Sequence, residues 1–163
     1  MKFAADRMVG RLAKWLRALG YDTIYVRNMD EKVAVRLMRE GWTVLTRNTR
    51  LAKRKADKNL VFVEYDRLED QITQLAESGL IRFDKDKAFS RCIRCNEPLE
   101  ILPREEASDR VPEYIYNSQP HFFQCPRCGR IYWPGTHHDR MAELLERLPS
   151  SEKSPLHNTS SSG

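Results

Sequence analysis

Apolar and polar positions along the first half of the chain follow two alternating periods. The short apolar run KFAA ends at Asp6, and beyond it Met8, Leu12, Trp15, Leu16 and Leu19 recur at helical spacing, with Gly20 placed as a stop. TIYV reads as a second strand and DEKVAVRLMREG as a helix with Val33, Leu37 and Met38 inward. WTVLT is a third strand, TRLAKRKA a short helix and LVFVE a fourth strand. RLEDQITQLAESG is a helix that carries Leu68, Ile72, Leu75 and Ala76 on one face. Strands that are apolar runs, separated by helices, predict an α/β fold whose parallel sheet is covered on both sides.

The pattern changes after IRFDKDKAF. Residues 89–137 contain few helix signals, several prolines, two cysteine pairs and a group of aromatics. Helical spacing returns through Met141, Leu144, Leu145 and Leu148 until Pro149, and the Ser-rich end is too polar to pack. The expected organisation is one α/β domain over 1–82, a cysteine module with a C-terminal helix over 89–148, and a disordered tail over 149–163. With 163 residues, this fits one domain of modest size and a small second module. No run approaches the roughly 20 apolar residues of a membrane span, and the start is too polar for a signal peptide, so a soluble, cytoplasmic protein without a membrane partner is expected.

Cysteine spacing adds the first chemistry. CIRC at 92–95 and CPRC at 125–128 form two Cys-x-x-Cys pairs with 29 residues between Cys95 and Cys125. Two such knuckles can direct Cys92, Cys95, Cys125 and Cys128 at one tetrahedral ion, with zinc favoured over rubredoxin-like iron. Four thiolates leave no open coordination position, so the ion is structural. Tyr114, Tyr116, Phe122, Phe123, Tyr132 and Trp133 crowd the same module. They are read as core-fillers of a ribbon with little helix, or as platforms for unpaired bases. His137, after the turn in WPGTHH, is read as a structural residue.

The net charge of +5 arises in the first half, where residues 1–80 hold 16 basic and 11 acidic side chains. Arg47, Arg50, Lys53, Arg54, Lys55 and Lys58 follow the third strand, while Arg7, Arg11 and Lys14 line the first helix. Asp6, Asp30, Asn48, Glu64 and Asp66 fall at or after strand ends, which in a parallel sheet converge on one edge. Oxygen donors gathered there suit Mg²⁺ or Mn²⁺, and a cationic rim draws in a phosphodiester backbone. Solvated helix faces and helix N-termini that favour acids are the plain alternatives.

MKFAADRMVGRLAKWLRALGYDT, VLTRNTRLAKR and RCIRCNEPLE…RVPEYIY…FFQCPRCGRIYWPGTH together closely resemble the Mut-seven C-terminal ribonuclease domain family, over about residues 1–148. The resemblance implies a PIN-like nuclease domain followed by a four-cysteine zinc ribbon. It implies RNA as substrate, with products carrying a 5′-phosphate. By it, Asp6 and Asp30 take the places of metal-binding acids, and Arg11 and Lys14 fall in the family's basic first helix. The third acid falls at position 48, where LTRD is usual and this chain reads LTRN. Asn48 keeps the size and one oxygen of Asp but loses its charge, which is expected to weaken or abolish cleavage, and Glu64 or Asp66 are candidate supplements.

The reading that follows is a Mg²⁺- or Mn²⁺-dependent ribonuclease with catalytic positions Asp6, Asp30 and Asn48 and RNA contacts at Arg11, Lys14, Arg47, Arg50, Lys53 and Arg54. Its rivals are a non-catalytic RNA-binding zinc-ribbon protein and an electron-transfer protein with iron at the cysteines.

Overall fold

Four short strands, β1 (Lys2–Asp6), β2 (Asp22–Val26), β3 (Thr43–Thr46) and β4 (Leu60–Phe62), form a wholly parallel sheet in the order β2-β1-β3-β4. The computed structural model describes residues 1–53, 57–134 and 136–147, without the side chains of 136–138. Arg54, Lys55, Leu148, the side chain of His137 and the tail over 149–163 lie outside the described residues.

Central strands carry apolar residues on both faces because helices cover both. Phe3, Ala4 and Ala5 of β1 and Val44 and Leu45 of β3 are fully buried. On one face lie α1 (Gly10–Ala18), α4 (Leu68–Glu77) and α7 (Thr136–Glu146). Leu12, Leu16, Ile72, Leu75, Met141 and Leu145 from these helices pack with Phe3 and Leu45. The opposite face holds α2 (Glu31–Arg39) and the single turn α3 (Thr49–Ala52), whose Ala34, Leu37, Met38 and Leu51 pack with Ala4 and Val44. A buried leucine of this kind contributes about 1.5–3 kcal/mol over an exposed one.

The α/β fold with a helix-flanked parallel sheet agrees with the sequence pattern, and two details differ. Met8, expected on the buried stripe, is 55% exposed. A 3-10 turn at Arg7–Val9, capped by Asp6, precedes α1 and rotates the stripe so that Val9 goes inward instead. The segment between the cysteine pairs also contains more helix than expected, in α5 (Arg104–Ala107) and α6 (Glu113–Ser118). Each follows a proline and carries acid in its first turn, Glu105 and Glu106 in α5 and Glu113 in α6, which suits a helix N-terminus.

Around these helices β5 (Glu100–Leu102), β6 (Phe122–Gln124) and β7 (Ile131–Tyr132) form a three-stranded antiparallel sheet. Phe122 is buried against Leu102 and Ala107, stacks with Tyr116 and meets Trp133 edge-on. The Arg104 guanidinium lies 4.1 Å over the Tyr116 ring. These aromatics therefore fill a small core, and of the group only Tyr114, at 72% exposure, stands well out in solvent.

Candidate active site and cysteine centre

The chain leaves β1 for β2 on one side and returns past it to β3 on the other, so β1 and β3 flank the point where strand order reverses. Ligands of α/β sheets enter at the carboxyl ends of such neighbours. Asp6 ends β1 and Thr46 ends β3. The Thr46 hydroxyl donates to Asp6 Oδ2 at 2.5 Å, the Arg47 amide donates to the same oxygen at 3.3 Å, and the Met8 amide donates to Oδ1 at 2.8 Å. Asp6 is only 4% exposed, so these donors take the place of water around its carboxylate. Thr46 Oγ1 in turn accepts from the backbone N–H of Asn48 at 3.0 Å. Asp6, Thr46 and Asn48 are thus joined by one hydrogen-bonded chain across the two strand ends.

Asn48 caps α3, its Oδ1 accepting from the Arg50 amide at 2.9 Å. Asp30 caps α2 in the same way, accepting from the Val33 amide at 2.8 Å, and lines a separate depression along α2 with Glu31 and Arg36. Glu64 is exposed. Asp66 pairs with Arg47, whose guanidinium also donates to the carbonyls of Val63 and Tyr65. Arg47 therefore ties the β4–α4 connection to the crevice, and its side chain is only 19% exposed. Among the described residues, Asp6, Asp30, Glu64 and Asp66 do not bring three carboxylates within reach of one ion.

Basic side chains follow β1 and β3 at this end of the sheet and continue along α1 away from it. Arg50 and Lys53 are exposed on α3 and its cap. Arg7, Arg11 and Lys14 are exposed along α1 and the turn before it, and line a groove of about 620 Å³ with Arg17, Tyr25 and Arg94. Tyr25 and Arg94 join a surface that no spacing in the sequence marks, since they come from a strand and from a cysteine knuckle.

The four cysteine sulfurs all lie within 4.8 Å of one another. Cys92 Sγ and Cys128 Sγ are 3.8 Å apart, and no disulfide forms. A tetrahedron with metal–sulfur bonds of about 2.3 Å has edges of about 3.8 Å, so the spacing fits an ion such as zinc. Both knuckles close alike. The Cys95 amide points at Cys92 Sγ and the Cys128 amide at Cys125 Sγ, and the next residues, Asn96 and Gly129, take positive φ. Asn is among the few non-glycine residues that tolerate that conformation.

The Cys92 thiol is drawn down to about 7, because hydrogen bonds from the Tyr132 hydroxyl, 3.0 Å away, and from the Cys95 and Arg94 backbone outweigh the opposing effect of burial. Cys95 is pushed up to about 12 by burial first, then by the hydrogen bonds and charge of its sister thiols. Four adjacent thiols cannot all ionise unaided, and a divalent cation removes that conflict.

The first knuckle is also bound to the parallel sheet. Asn96 accepts from the Thr23 amide at 3.0 Å and donates to Asp22 at 2.7 Å, both on the edge strand β2. Arg17 of α1 donates to the carbonyls of Thr23, Ile93 and Arg94 at 2.8, 2.9 and 3.2 Å. Burial lowers the Arg17 pKa from its ordinary value, with opposing attraction from Cys92, Cys95 and Asp22.

A parallel sheet with a polar switch point and a four-cysteine centre bound to its edge defines the class. The chain belongs to the Mut7-C RNAse domain family, whose model matches residues 1–145. No curated protein and no solved structure matches the chain. Membership carries a nuclease-like function and RNA as the class of partner. Among the described residues no helix is long and apolar enough to cross a membrane.

Proposed function

We infer that the chain is a metal-assisted ribonuclease of reduced activity, hydrolysing RNA phosphodiester bonds at the carboxyl ends of β1 and β3. The observation that carries this reading is the hydrogen-bonded chain from Asp6 through Thr46 to Asn48, set at the switch point beneath a cationic rim. The side-chain oxygens of Asp6 and Asn48 are hard donors of the kind Mg²⁺ and Mn²⁺ prefer and are the ligands in this reading, with Asp30, which lines a separate depression, as the further carboxylate. A bound ion of this type supplies an activated water and offsets charge on the phosphate. Thr46 fixes the Asp6 carboxylate, Arg47 holds the β4–α4 connection, and Arg11, Lys14, Arg50 and Lys53 attract the RNA backbone.

The PIN-like likeness of the sequence supports the same site, and zinc at the four cysteines is the structural ion that fits its sulfur spacing. We read 1–82 as the nuclease unit and 89–148 as the ribbon with its helix. The test is cleavage of a labelled single-stranded RNA with and without added Mn²⁺. Slow cleavage that requires Mn²⁺ and yields 5′-phosphate ends supports the reading.

One observation favours a second reading, RNA binding without hydrolysis: three carboxylates do not converge among the described residues. RNA binding with no cleavage at any Mn²⁺ concentration would select it.

A further inference from the structure

We propose that single-stranded RNA lies in the groove along α1, running from the strand ends to the first cysteine knuckle, with Tyr25 as a base platform and Arg94 as a phosphate contact. The proposal rests on the reading that the chain binds RNA and specifies where.

Charge sets the direction of the groove. Arg7, Arg11 and Lys14 recur at intervals of four and three, so they share one side of the turn and helix that follow Asp6, over about 10 Å. Arg94 continues the cationic line at the knuckle, and the acid among the lining residues, Asp66, sits where Arg47 already pairs with it. Arg17 is spent on three carbonyls, which leaves the four exposed cations to meet phosphates.

Tyr25 distinguishes this surface from a merely basic one. It is 46% exposed although it stands on a strand, and it is the aromatic among the groove-lining residues. A methyl group at Gly10 would stand 3.4 Å from Tyr25 Cε2, so the ring rests against the start of α1 with its remainder open. Cations interleaved with an exposed aromatic suit unpaired bases, whose flat faces stack, whereas a duplex hides them. Of the aromatics of the cysteine module, Tyr116 and Trp133 are packed around Phe122, and the exposed Tyr114 is not among the residues that line the groove.

Arg94 gives the cysteine centre a part in RNA binding. It lies between the ligands Cys92 and Cys95, and its carbonyl and that of Ile93 are held by Arg17. The ion that fixes the knuckle thereby fixes the far end of the groove.

The experiment measures binding of a fluorescein-labelled single-stranded oligoribonucleotide, and of the same sequence as a duplex, to the full chain. The buffer is kept free of Mg²⁺ and Mn²⁺, which prevents cleavage at the strand ends and leaves the cysteine centre loaded. Tyr25→Ala should weaken single-strand binding about tenfold and Tyr25→Phe should restore it, because the ring and not the hydroxyl stacks. Arg94→Ala should lower the salt slope by about 0.7, one phosphate contact. The duplex should bind more weakly than the single strand and be indifferent to Tyr25→Ala.

If Tyr25→Ala and Arg94→Ala both bind as the parent does while Arg50→Ala with Lys53→Ala binds poorly, the RNA crosses α3 instead. The path is then overturned and the RNA reading survives. Failure of the unaltered chain to bind either RNA overturns both.

Discussion

The hydroxyl of Thr46 lies 2.5 Å from Asp6 Oδ2, so the end of β3 supplies the donor that lets β1 finish on a buried carboxylate. Thr46→Val keeps the shape and deletes that donor. It should destabilise the protein by about 1–3 kcal/mol, the usual cost of leaving a buried polar group short of a partner. Thr46→Ser should recover most of the loss. Urea unfolding of the three proteins checks it, and equal midpoints would show that the carboxylate is satisfied without β3.

Gly20 joins α1 to β2 in a conformation only glycine adopts freely, with φ +94°, and a methyl group there would lie 2.2 Å from the Lys87 carbonyl oxygen. Beside it, the Phe89 amide donates to the Ala18 carbonyl at 2.7 Å, tying the connection between the two sheets to α1. Gly20→Ala should cost about 2 kcal/mol or more. The Phe89 amide should exchange with deuterium faster than amides of β1, which a uniform loss of protection would contradict.

Metal removal should act mainly on the antiparallel sheet. Chelation, or Cys125→Ser, should unfold the segment around β5, β6 and β7 while the parallel sheet keeps its helical signal. Ion binding deprotonates thiols, so affinity should fall as pH falls. Without the ion, Cys95 stays protonated up to about 12, whereas Cys92 holds its thiolate down to about 7. Loading at pH 8 should therefore release protons into a weakly buffered solution. Loading without acidification would remove the thiolate centre from the account.

Much of the fold is legible because each half of the parallel sheet's pattern is local: apolar strands, helical stripes and glycine stops read directly from KFAA to ESG. What escapes the pattern is set by caps and by distant partners. Val9 replaces Met8 on the buried face because Asp6 starts a 3-10 turn, a shift of one residue that periodicity alone does not register. Arg47 reads in the sequence as one of several RNA-facing cations, yet its partners are carbonyls and Asp66 on the next strand's connection. The cysteine spacing points directly to the four side chains whose sulfurs gather within 4.8 Å of one another. The docking of that centre through Asn96 onto Thr23 and Asp22 joins residues more than 70 positions apart, and nothing in a linear pattern signals it.

The basic turn after β3 offers a separate check on RNA attraction. Arg50→Ala, Lys53→Ala and Arg54→Ala together should weaken binding to single-stranded RNA and reduce the salt slope by about 0.7 for each phosphate that is no longer neutralised. The fold should be unaffected, since Arg50 and Lys53 are exposed. An unchanged slope in a salt titration would return these residues to ordinary solvated surface.

Position 48 tests the central claim that the switch point is a cation-assisted site weakened by one missing charge. Asp caps a helix as well as Asn does, so Asn48→Asp preserves the bond to the Arg50 amide while adding a carboxylate just past the end of β3, the strand that neighbours the one Asp6 ends. Repulsion should lower stability modestly without metal, and Mn²⁺ should reverse that loss. The decisive measurement is the rate of Mn²⁺-dependent cleavage of a labelled single-stranded RNA by the parent chain, by Asn48→Asp and by Asn48→Asp with Asp6→Asn. The account expects Asn48→Asp to raise the rate about tenfold or more and Asp6→Asn to abolish the gain. Equal rates for the parent and Asn48→Asp, with Mn²⁺ affinity unchanged, would contradict it.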